Sequence, residues 1–252
     1  MTAAQELRPV VAIVQARMGS TRLPGKVLAN VGGKPVLAHV LERLRQAKTL
    51  DRIVVATTTQ PWDQVIVELA QSMGIEVFRG SEEDVLERCE QAAQWCDAST
   101  VVRVCGEDVL LDPQIVDRLV RLHLEQQPDY TSNVIGHTFP EGLYIEVFSR
   151  RALERLHRQA SLPEHREHVT LYILDHPEQF RIESIEATGR LRRPDIKVSV
   201  DTPADLEFLR ALYAELSRDG QMVDIDTVLD WLELNRGKTR AGATSNRRDT
   251  NP

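Results

Sequence analysis

Apolar residues follow two alternating periodicities over the first half of the chain. Short, largely apolar runs typical of buried strands occupy residues 9–14, 52–57, 76–79 and 100–104. Segments with apolar residues at helical spacing follow them at 35–48, 62–73, 84–95 and 113–126. This alternation predicts an α/β protein whose mostly parallel sheet carries helices on both faces. Ligands bind such sheets at the carboxyl ends of the strands.

The alternation loosens after residue 129. Strands are predicted at 129–134, 142–149, 180–185 and 196–200, and helices at 150–159, 164–176, 203–216 and 226–234. Thr202 is the expected N-cap of the 203–216 helix, and Pro203 its first residue. We expect a single domain over residues 9–235. Disordered termini are expected at 1–8 and 236–252, since the C-terminal tail has almost no apolar content.

Composition narrows the class of protein. The chain has 252 residues, of which 42% are hydrophobic, and a net charge of −7, which argues against a general nucleic-acid binder. No stretch approaches the roughly 20 apolar residues of a membrane helix, and the N-terminus lacks the apolar core of a signal peptide. We therefore expect a cytoplasmic protein without a membrane or nucleic-acid partner. The cysteines lack metal-binding spacing, and Cys89 and Cys96 are expected to be core thiols.

A basic loop follows the first predicted strand. The stretch QARMGSTRLPGK (15–26) contains Arg17, Arg22, Lys26 and two glycines but no acidic residue. A glycine-containing turn between a strand and a helix leaves backbone N–H groups free to converge on an anion, and the basic side chains add charged donors. A di- or triphosphate is the natural ligand, although a merely solvated basic loop has the same composition. Neither the Walker A pattern nor GxGxxG is present.

Acidic residues follow the predicted strand at 100–104. In RVCGEDVLLDP, Glu107 and Asp108 stand directly after Gly106. Carboxylates at the carboxyl edge of a parallel sheet are well placed to hold Mg²⁺, which prefers oxygen ligands. Successive residues of an extended segment face opposite ways, so only one of the two serves a single ion, and Glu107 is favoured. The alternative is a polar turn without a working metal site.

Several stretches resemble one family. VAIVQARMGSTRLPGKVLANVGGKPVLAHVLER is similar to the N-terminal signature of the CMP-sugar-acid synthetases, and more closely to the cytidylyltransferase-like family of spore coat polysaccharide biosynthesis protein F. FRGSEEDVLERC, RVCGEDVLLDP, FPEGLYIEVFSRRAL, REHVTLYI and VSVDTPADLEFLR agree with the second family. The resemblance runs from about Val10 to Leu216 in one order. It implies a three-layer, Rossmann-like nucleotide-diphospho-sugar transferase (GT-A-like) fold with CTP across the carboxyl edge of the sheet.

The resemblance also implies which residues hold the nucleotide. The expected nucleotide-binding residues are Ala16, Arg17, Gly19, Ser20, Arg22, Lys26, Arg79, Gly80, Ser81 and Arg103. Arg17, Arg22 and Lys26 are also expected to be catalytic, because they offset charge on the pyrophosphate leaving group. Two alternatives stay open. The stretch from Arg79 to Ser81 could simply precede a helix capped by Ser81 or Asp84, and Arg103 could pair with an internal carboxylate instead of the ligand.

For the metal, the resemblance adds Asp201, at the end of the predicted 196–200 strand, to Glu107 and Asp108. Relatives usually place an aspartate directly after the glycine, so Glu107 is a departure at a metal position. The expected cofactor is one or two Mg²⁺ ions between acids from distant strand ends.

The acceptor is expected to meet a family loop over the cleft and a basic cluster near residue 166. The candidates are Asn133, Glu141, Glu146, His165, Arg166 and His168. This cluster suits a carboxylate, phosphate or phosphonate. A zinc site at His165 and His168 is disfavoured, since no HExxH is present and Mg²⁺ prefers oxygen.

The expected function is Mg²⁺-dependent transfer of CMP from CTP to a small acidic acceptor, with release of pyrophosphate, in surface-polysaccharide or secondary-product synthesis. One alternative is a glycosyltransferase of related fold, although EDVLLD lacks the spacing of its usual DxD-like motif. The other is a nucleotide-binding protein without catalysis, which the departure at Glu107 keeps open. A homodimer is compatible with the sequence.

Overall fold

The computed structural model describes residues 7–217 and 221–235. The strands are β1 (Val10–Gln15), β2 (Asn30–Val31), β3 (Lys34–Pro35), β4 (Arg52–Thr58), β5 (Glu76–Gly80), β6 (Thr100–Cys105), β7 (Tyr130–Ser132), β8 (Glu146–Ser149) and β9 (Ile182–Ser184). The helices are α1 (Val36–Leu44), α2 (Gln64–Ser72), α3 (Val85–Trp95), α4 (Pro113–Gln126), α5 (Arg150–Gln159), α6 (Pro163–Glu167), α7 (Leu171–Asp175), α8 (Pro203–Leu216) and α9 (Ile225–Leu234). Short 3₁₀ turns cover Lys26–Leu28, Pro61–Asp63, Pro177–Gln179 and Gly189–Leu191.

Seven strands form one sheet in the order β5-β4-β1-β6-β8-β7-β9. The strands β5, β4, β1 and β6 are parallel, and β8 is antiparallel to both of its neighbours. The predicted mostly parallel, mixed sheet is therefore confirmed. The carboxyl ends of β1, β4, β5 and β6 share one edge, and the reversed β8 brings its first residue, Glu146, opposite Arg103 near that edge.

The side chains of β1 divide between two cores. Val10, Ala12 and Val14 pack into one cluster, on the side of α1, α4 and α8. Val11 and Ile13 pack into the other, on the side of α3 and α5. This period of two is the signature of a strand covered on both faces by helices.

Cys89 of α3 and Cys96, the residue that ends this helix, are buried in the core, as predicted. Burial raises the pKa of the Cys89 thiol to about 11, so it stays protonated and unreactive.

Two predicted elements differ in kind from the structure, and the strand expected over 142–149 is shorter, since β8 covers only Glu146–Ser149. The single helix expected over 164–176 is two short helices, α6 and α7, because the chain leaves helical geometry at His168. The strand expected over 196–200 is a buried extended segment with one β-bridge, between Glu141 and Lys197. Its backbone bonds to Glu141 (2.7 and 2.9 Å) and, through Val200, to the Glu107 carbonyl (3.2 Å), so it never joins the sheet.

The chain is already ordered before Pro9. The carbonyls of Leu7 and Arg8 accept hydrogen bonds of 2.8 Å from Thr100 and Ser99, although the sequence assigned both residues to a disordered terminus. The rest of the predicted disordered segments, 1–6 and 236–252, lies outside the described residues. Within the described ranges no helix is long and apolar enough to cross a membrane.

A buried histidine makes the fold sensitive to acid. His123 of α4 is fully buried, and its Nδ1 lies 2.9 Å from Thr131 Oγ1, whereas its Nε2 is buried without a hydrogen-bond partner. Burial lowers the pKa of His123 from 6.5 to about 4, against the opposing pull of Asp129. Between these values the unfolded chain takes up a proton that the folded chain does not. The free energy of unfolding therefore falls by about 1.4 kcal/mol per pH unit as the pH drops through this window.

Between pH 6.5 and pH 4, we predict that the free energy of unfolding falls by about 3 kcal/mol less in His123→Gln than in wild type. Urea denaturation at several pH values measures this loss. The matched control is His168→Gln, at an exposed histidine, which should keep the wild-type pH dependence. Equal pH dependence in wild type and His123→Gln would contradict the assignment.

Candidate active site

The loop after β1 is anchored by a buried carboxylate. Asp63 is fully buried and accepts hydrogen bonds from the Met18 amide (2.8 Å) and from the Thr57 hydroxyl (3.1 Å). The loop closes where the Gly25 amide donates to the Met18 carbonyl (2.9 Å) with Gly25 at a φ of 73°, a conformation that favours glycine. Asp63 was not among the residues predicted for the site. It is a single acid five residues after the end of β4 and belongs to no motif.

Two of the three loop cations contact Glu107 or Asp201. Lys26 Nζ lies 3.0 Å from Glu107 Oε1 and 2.8 Å from Asp201 Oδ1. A guanidinium nitrogen of Arg22 lies 2.8 Å from the same Asp201 oxygen. Burial lowers the pKa of Lys26, but the two carboxylates outweigh burial and the pKa is raised overall. Two of the predicted phosphate cations and two of the predicted metal ligands thus converge on one point.

A tight turn brings Glu107 to this point. The Gly106 amide donates to the Gln15 carbonyl (2.9 Å), and a Cβ on Gly106 would lie only 3.0 Å from that oxygen. Glycine therefore allows the end of β6 to pack against the end of β1 and directs the next residue into the cleft.

The start of α8 holds Asp201. Thr202 is its N-cap and forms a capping box with Asp205, which confirms the predicted helix start. The Asp205 carboxylate also accepts a hydrogen bond from the Asp201 amide (3.0 Å). The backbone on both sides of the Asp201 side chain is consequently fixed.

Lys197 joins Arg22, Lys26, Glu107 and Asp201 in one cluster of charged side chains. It was not predicted from the sequence. Its Nζ lies 2.7 Å from Asp201 Oδ2, 3.0 Å from Glu141 Oε1 and 3.4 Å from Asp205 Oδ2. Burial alone would raise the pKa of Asp201, but the hydrogen bonds from Lys197 and Lys26 lower it to about 2. In the sequence, Lys197 is one of two polar residues that alternate with apolar ones over 196–200, a pattern that indicates only a strand.

Asp108 differs from its neighbour. Its side chain is buried, and no hydrogen bond or ion pair joins its carboxylate to another described side chain. Burial, reinforced by the charge of Glu107, raises the pKa of Asp108 well above its ordinary range. Of the two adjacent acids, Glu107 is the one that shares a cation with Asp201.

The residues present fit a hard divalent cation. Two carboxylates from distant parts of the chain contact one ammonium group, and oxygen donors are the ligands that Mg²⁺ prefers. No group of three His, Cys, Asp or Glu side chains converges as a metal site within the described parts of the chain. Mg²⁺ commonly takes one or two carboxylates and completes its shell with water and substrate phosphates, so two carboxylates suffice.

Arg17 points away from the acidic pair. It donates to the Glu82 carbonyl (2.9 Å) and to Glu167 Oε1 (2.8 Å). Arg79 is also bonded within the protein, because its side chain donates to the carbonyls of Thr58 and Gln60 (both 2.9 Å). Ala16 is buried, whereas Gly19 is exposed and Ser20 half-buried on the loop.

Asp84 is the N-cap of α3. This agrees with the alternative in which the stretch from Arg79 to Ser81 simply precedes a capped helix. The Asp84 side chain accepts from the Glu87 amide (2.8 Å), while Ser81 Oγ accepts from the Asp84 amide (3.1 Å). Gly80 packs closely on Arg88, whose side chain would lie 3.1 Å from a Cβ at that position. The stretch from Arg79 to Ser81 thus has a structural role. Its contact with the nucleotide stays a prediction.

Arg103 pairs with an internal carboxylate. Its guanidinium forms a salt bridge with Glu146 and donates to Gln15 Oε1 (2.9 Å), and the Tyr130 hydroxyl donates to Glu146 (2.7 Å). This buried network lies beneath the acidic turn. Arg103, which was expected to bind the nucleotide, and Glu146, which was expected to bind the acceptor, therefore bind each other.

The remaining acceptor candidates are scattered. The Asn133 amide is bonded to Leu143 and Ile145, His165 Nε2 lies 2.8 Å from Asp175, and Arg166 pairs with Asp84, whereas His168 is exposed. Only Glu141 reaches the acidic cluster, through Lys197. The assignment of these residues to the acceptor stays a prediction.

Comparison with known proteins agrees with this geometry. The family model described as cytidylyltransferase matches residues 11–227. The spore coat polysaccharide biosynthesis protein SpsF of Bacillus subtilis is 37% identical over 82% of this chain and 87% of that protein. The 3-deoxy-manno-octulosonate cytidylyltransferase of Anaeromyxobacter dehalogenans is 29% identical over 82% of this chain and 99% of its own. A solved cytidylyltransferase structure from Leptospira borgpetersenii superposes with a TM-score of 0.84, at 32% identity, covering 90% of this chain and 94% of that one.

A basic loop and paired acids at the carboxyl edge of this sheet define a nucleotidyltransferase with the nucleotide-diphospho-sugar transferase fold. The chain belongs to the cytidylyltransferase family. The predicted fold class, resemblance and class of enzyme are confirmed.

Proposed function

We propose that the protein transfers CMP from CTP to a small acidic acceptor in a Mg²⁺-dependent reaction that releases pyrophosphate. One observation carries the proposal. The Lys26 ammonium lies between the Glu107 and Asp201 carboxylates, so the phosphate-binding loop and the candidate metal ligands face the same point.

Each residue of this cluster has a distinct role in the proposed reaction. Arg22 and Lys26 bind the triphosphate and neutralise the charge that grows on the departing pyrophosphate. Arg17, at the other end of the loop, contacts the nucleotide from the side of Glu167. Glu107 and Asp201 hold the metal ion, which when bound neutralises the phosphate oxygens and orients the α-phosphate. An acceptor oxygen attacks the α-phosphorus, and pyrophosphate leaves from the opposite side.

The proposed acceptor is a sugar acid or a similar small acid such as a phosphonate. This proposal is supported by the name of the relative that acts on 3-deoxy-manno-octulosonate, and the name of SpsF supports a role in surface polysaccharide synthesis. The residues proposed to meet an acidic acceptor are the exposed His168 and the neighbouring Arg166, whose guanidinium pairs with Asp84. Family membership favours nucleotidyl transfer over the glycosyltransferase alternative.

Thermal denaturation tests the choice of nucleotide. A ligand that binds only the folded state at a hundred times its Kd stabilises that state by about 2.7 kcal/mol. We predict that CTP with Mg²⁺ raises the Tm more than ATP, GTP or UTP under the same conditions. Equal shifts for all four nucleotides, or no shift, would overturn the cytidine assignment.

A pyrophosphate-release assay tests the reaction itself. The four nucleotides are each combined with a panel of sugar acids and phosphonates, with Mg²⁺ and with a chelator. We expect release only with CTP, Mg²⁺ and an acidic acceptor. CTP binding without release from any acceptor would favour a nucleotide-binding protein without catalysis.

A further inference from the structure

The two oxygens of the Asp201 carboxylate face different cations. Oδ1 contacts Arg22 and Lys26, each at 2.8 Å, whereas Oδ2 contacts Lys197 at 2.7 Å. The first two cations come from the loop that would bind the triphosphate. The third, Lys197, comes from the extended segment at 196–200 and has no part in the proposed phosphate site.

Lys197 is held far more firmly than Arg22. Its backbone lies in the segment that bonds to Glu141 on both sides, and its ammonium also contacts the Glu141 and Asp205 carboxylates. The side chain of Lys197 is 15% exposed, whereas that of Arg22 is 63% exposed. Lys197 is therefore a fixed cation, and Arg22 is free to change partner.

Ligand binding must separate these two sets of contacts. A divalent cation between Glu107 and Asp201 would take the place that the Lys26 ammonium occupies. Lys26 and Arg22 then turn to the triphosphate, and Asp201 Oδ1 loses both ammonium and guanidinium partners. Lys197 has no reason to move, because its three carboxylate partners belong to the protein.

We propose that Lys197 is a positioning residue. It holds Asp201 Oδ2 so that only Oδ1 faces the metal position, and it remains the partner of Asp201 when the loop cations engage the nucleotide. This inference rests on the proposed function and adds a residue to it. It has a particular electrostatic consequence, since a fixed cation beside a metal ligand lowers metal affinity while it orients that ligand.

The test compares Lys197→Gln with Lys197→Arg, using Mn²⁺ as the probe in calorimetric titrations and pyrophosphate release for kcat. We expect Lys197→Gln to bind Mn²⁺ about tenfold more tightly than wild type and yet to lose about tenfold or more in kcat. Lys197→Arg keeps the charge, so its Mn²⁺ affinity should stay within about twofold of wild type and much of kcat should return. The matched control is Lys34→Gln, whose lysine pairs with Glu42 outside the cluster and should leave both quantities unchanged.

A merely structural role would give a different result. Lys197→Gln would then bind Mn²⁺ no more tightly than wild type, and kcat would follow the loss of folded protein; that outcome overturns the proposal. If Lys197→Gln does not fold, Glu141→Gln replaces it. Without the Glu141 carboxylate, the Lys197 ammonium interacts more strongly with Asp201 and competes more with the metal ion. Mn²⁺ binding should therefore weaken several-fold. Tighter Mn²⁺ binding by Glu141→Gln would also overturn the proposal.

The two readouts separate this inference from the proposed function. Mn²⁺ binding needs no turnover. If wild type releases no pyrophosphate with any acceptor, the proposed function fails, while the sign of the Mn²⁺ effect still decides whether Lys197 acts on Asp201.

Discussion

Glu107→Ala should lower pyrophosphate release at least a hundredfold (about 2.7 kcal/mol in activation free energy), whereas Asp108→Asn should keep most of it. The two acids are adjacent, but only Glu107 shares the Lys26 ammonium with Asp201. Asp108 is buried, and its raised pKa favours the neutral form that asparagine imitates. Steady-state kinetics over a range of Mg²⁺ concentrations measures both effects.

Two further variants make this comparison specific. Glu107→Gln keeps the shape of the side chain and removes its charge. Its rate of pyrophosphate release should therefore fall nearly as far as that of Glu107→Ala. Glu68→Ala, at an exposed glutamate on α2, should be as active as wild type. Loss of activity in Asp108→Asn with full activity in Glu107→Ala would move the metal assignment by one residue.

Glu146→Gln should cost about 3–5 kcal/mol of unfolding free energy, the largest stability effect that we predict. Arg103 and Glu146 form a buried salt bridge whose side chains are only 14% and 7% exposed. Removing the carboxylate charge leaves a guanidinium buried with no anionic partner, and the Tyr130 hydroxyl loses a charged acceptor. Urea denaturation measures this loss.

An exposed pair provides the control for this variant. Glu207→Gln breaks the contact between Glu207 and Arg210, whose side chains are 76% and 44% exposed, and should change stability by less than about 1 kcal/mol. If Glu146→Gln is as stable as wild type but has a raised KM for the acceptor, Glu146 faces the acceptor after all, as the sequence suggested.

The elements with strong periodicity were predictable from the sequence. The 113–126 and 150–159 helices were predicted with the bounds that the structure has, since their apolar faces and caps are local features. The segment at 196–200 shows the limit. It alternates like a strand, but its hydrogen bonds go to Glu141 and Glu107, which are far away in the chain, and no local pattern records such partners.

Some residues of the candidate site were likewise predictable from local sequence and others were not. The basic loop and Glu107 were proposed because each follows a predicted strand, whereas the family resemblance supplied Asp201. The structure brings Lys26, Glu107 and Asp201 together, and their roles stay predictions. Partners inside the protein were not predictable, because a salt bridge depends on the distance between remote residues. Arg103 and Glu146 were expected on different ligands, although an internal carboxylate was the open alternative for Arg103 and is what the structure shows. Lys197 and Asp63 were missed because each is a single charge without a motif.

The segment at 196–200 also bears on how acceptor choice could change during evolution. Apart from the ion pair between Lys197 and Glu141, its links to Glu141 and to the Glu107 turn are backbone hydrogen bonds, which every residue except proline permits at the donor positions. Gly142 is the exception, since its φ of 103° favours glycine and a Cβ would lie 2.8 Å from the Ser199 amide nitrogen. Around this one glycine, the loop that is expected to meet the acceptor can vary its side chains without displacing Glu107. New acceptors are therefore accessible by substitution while the chemistry of the cytidylyl group is retained.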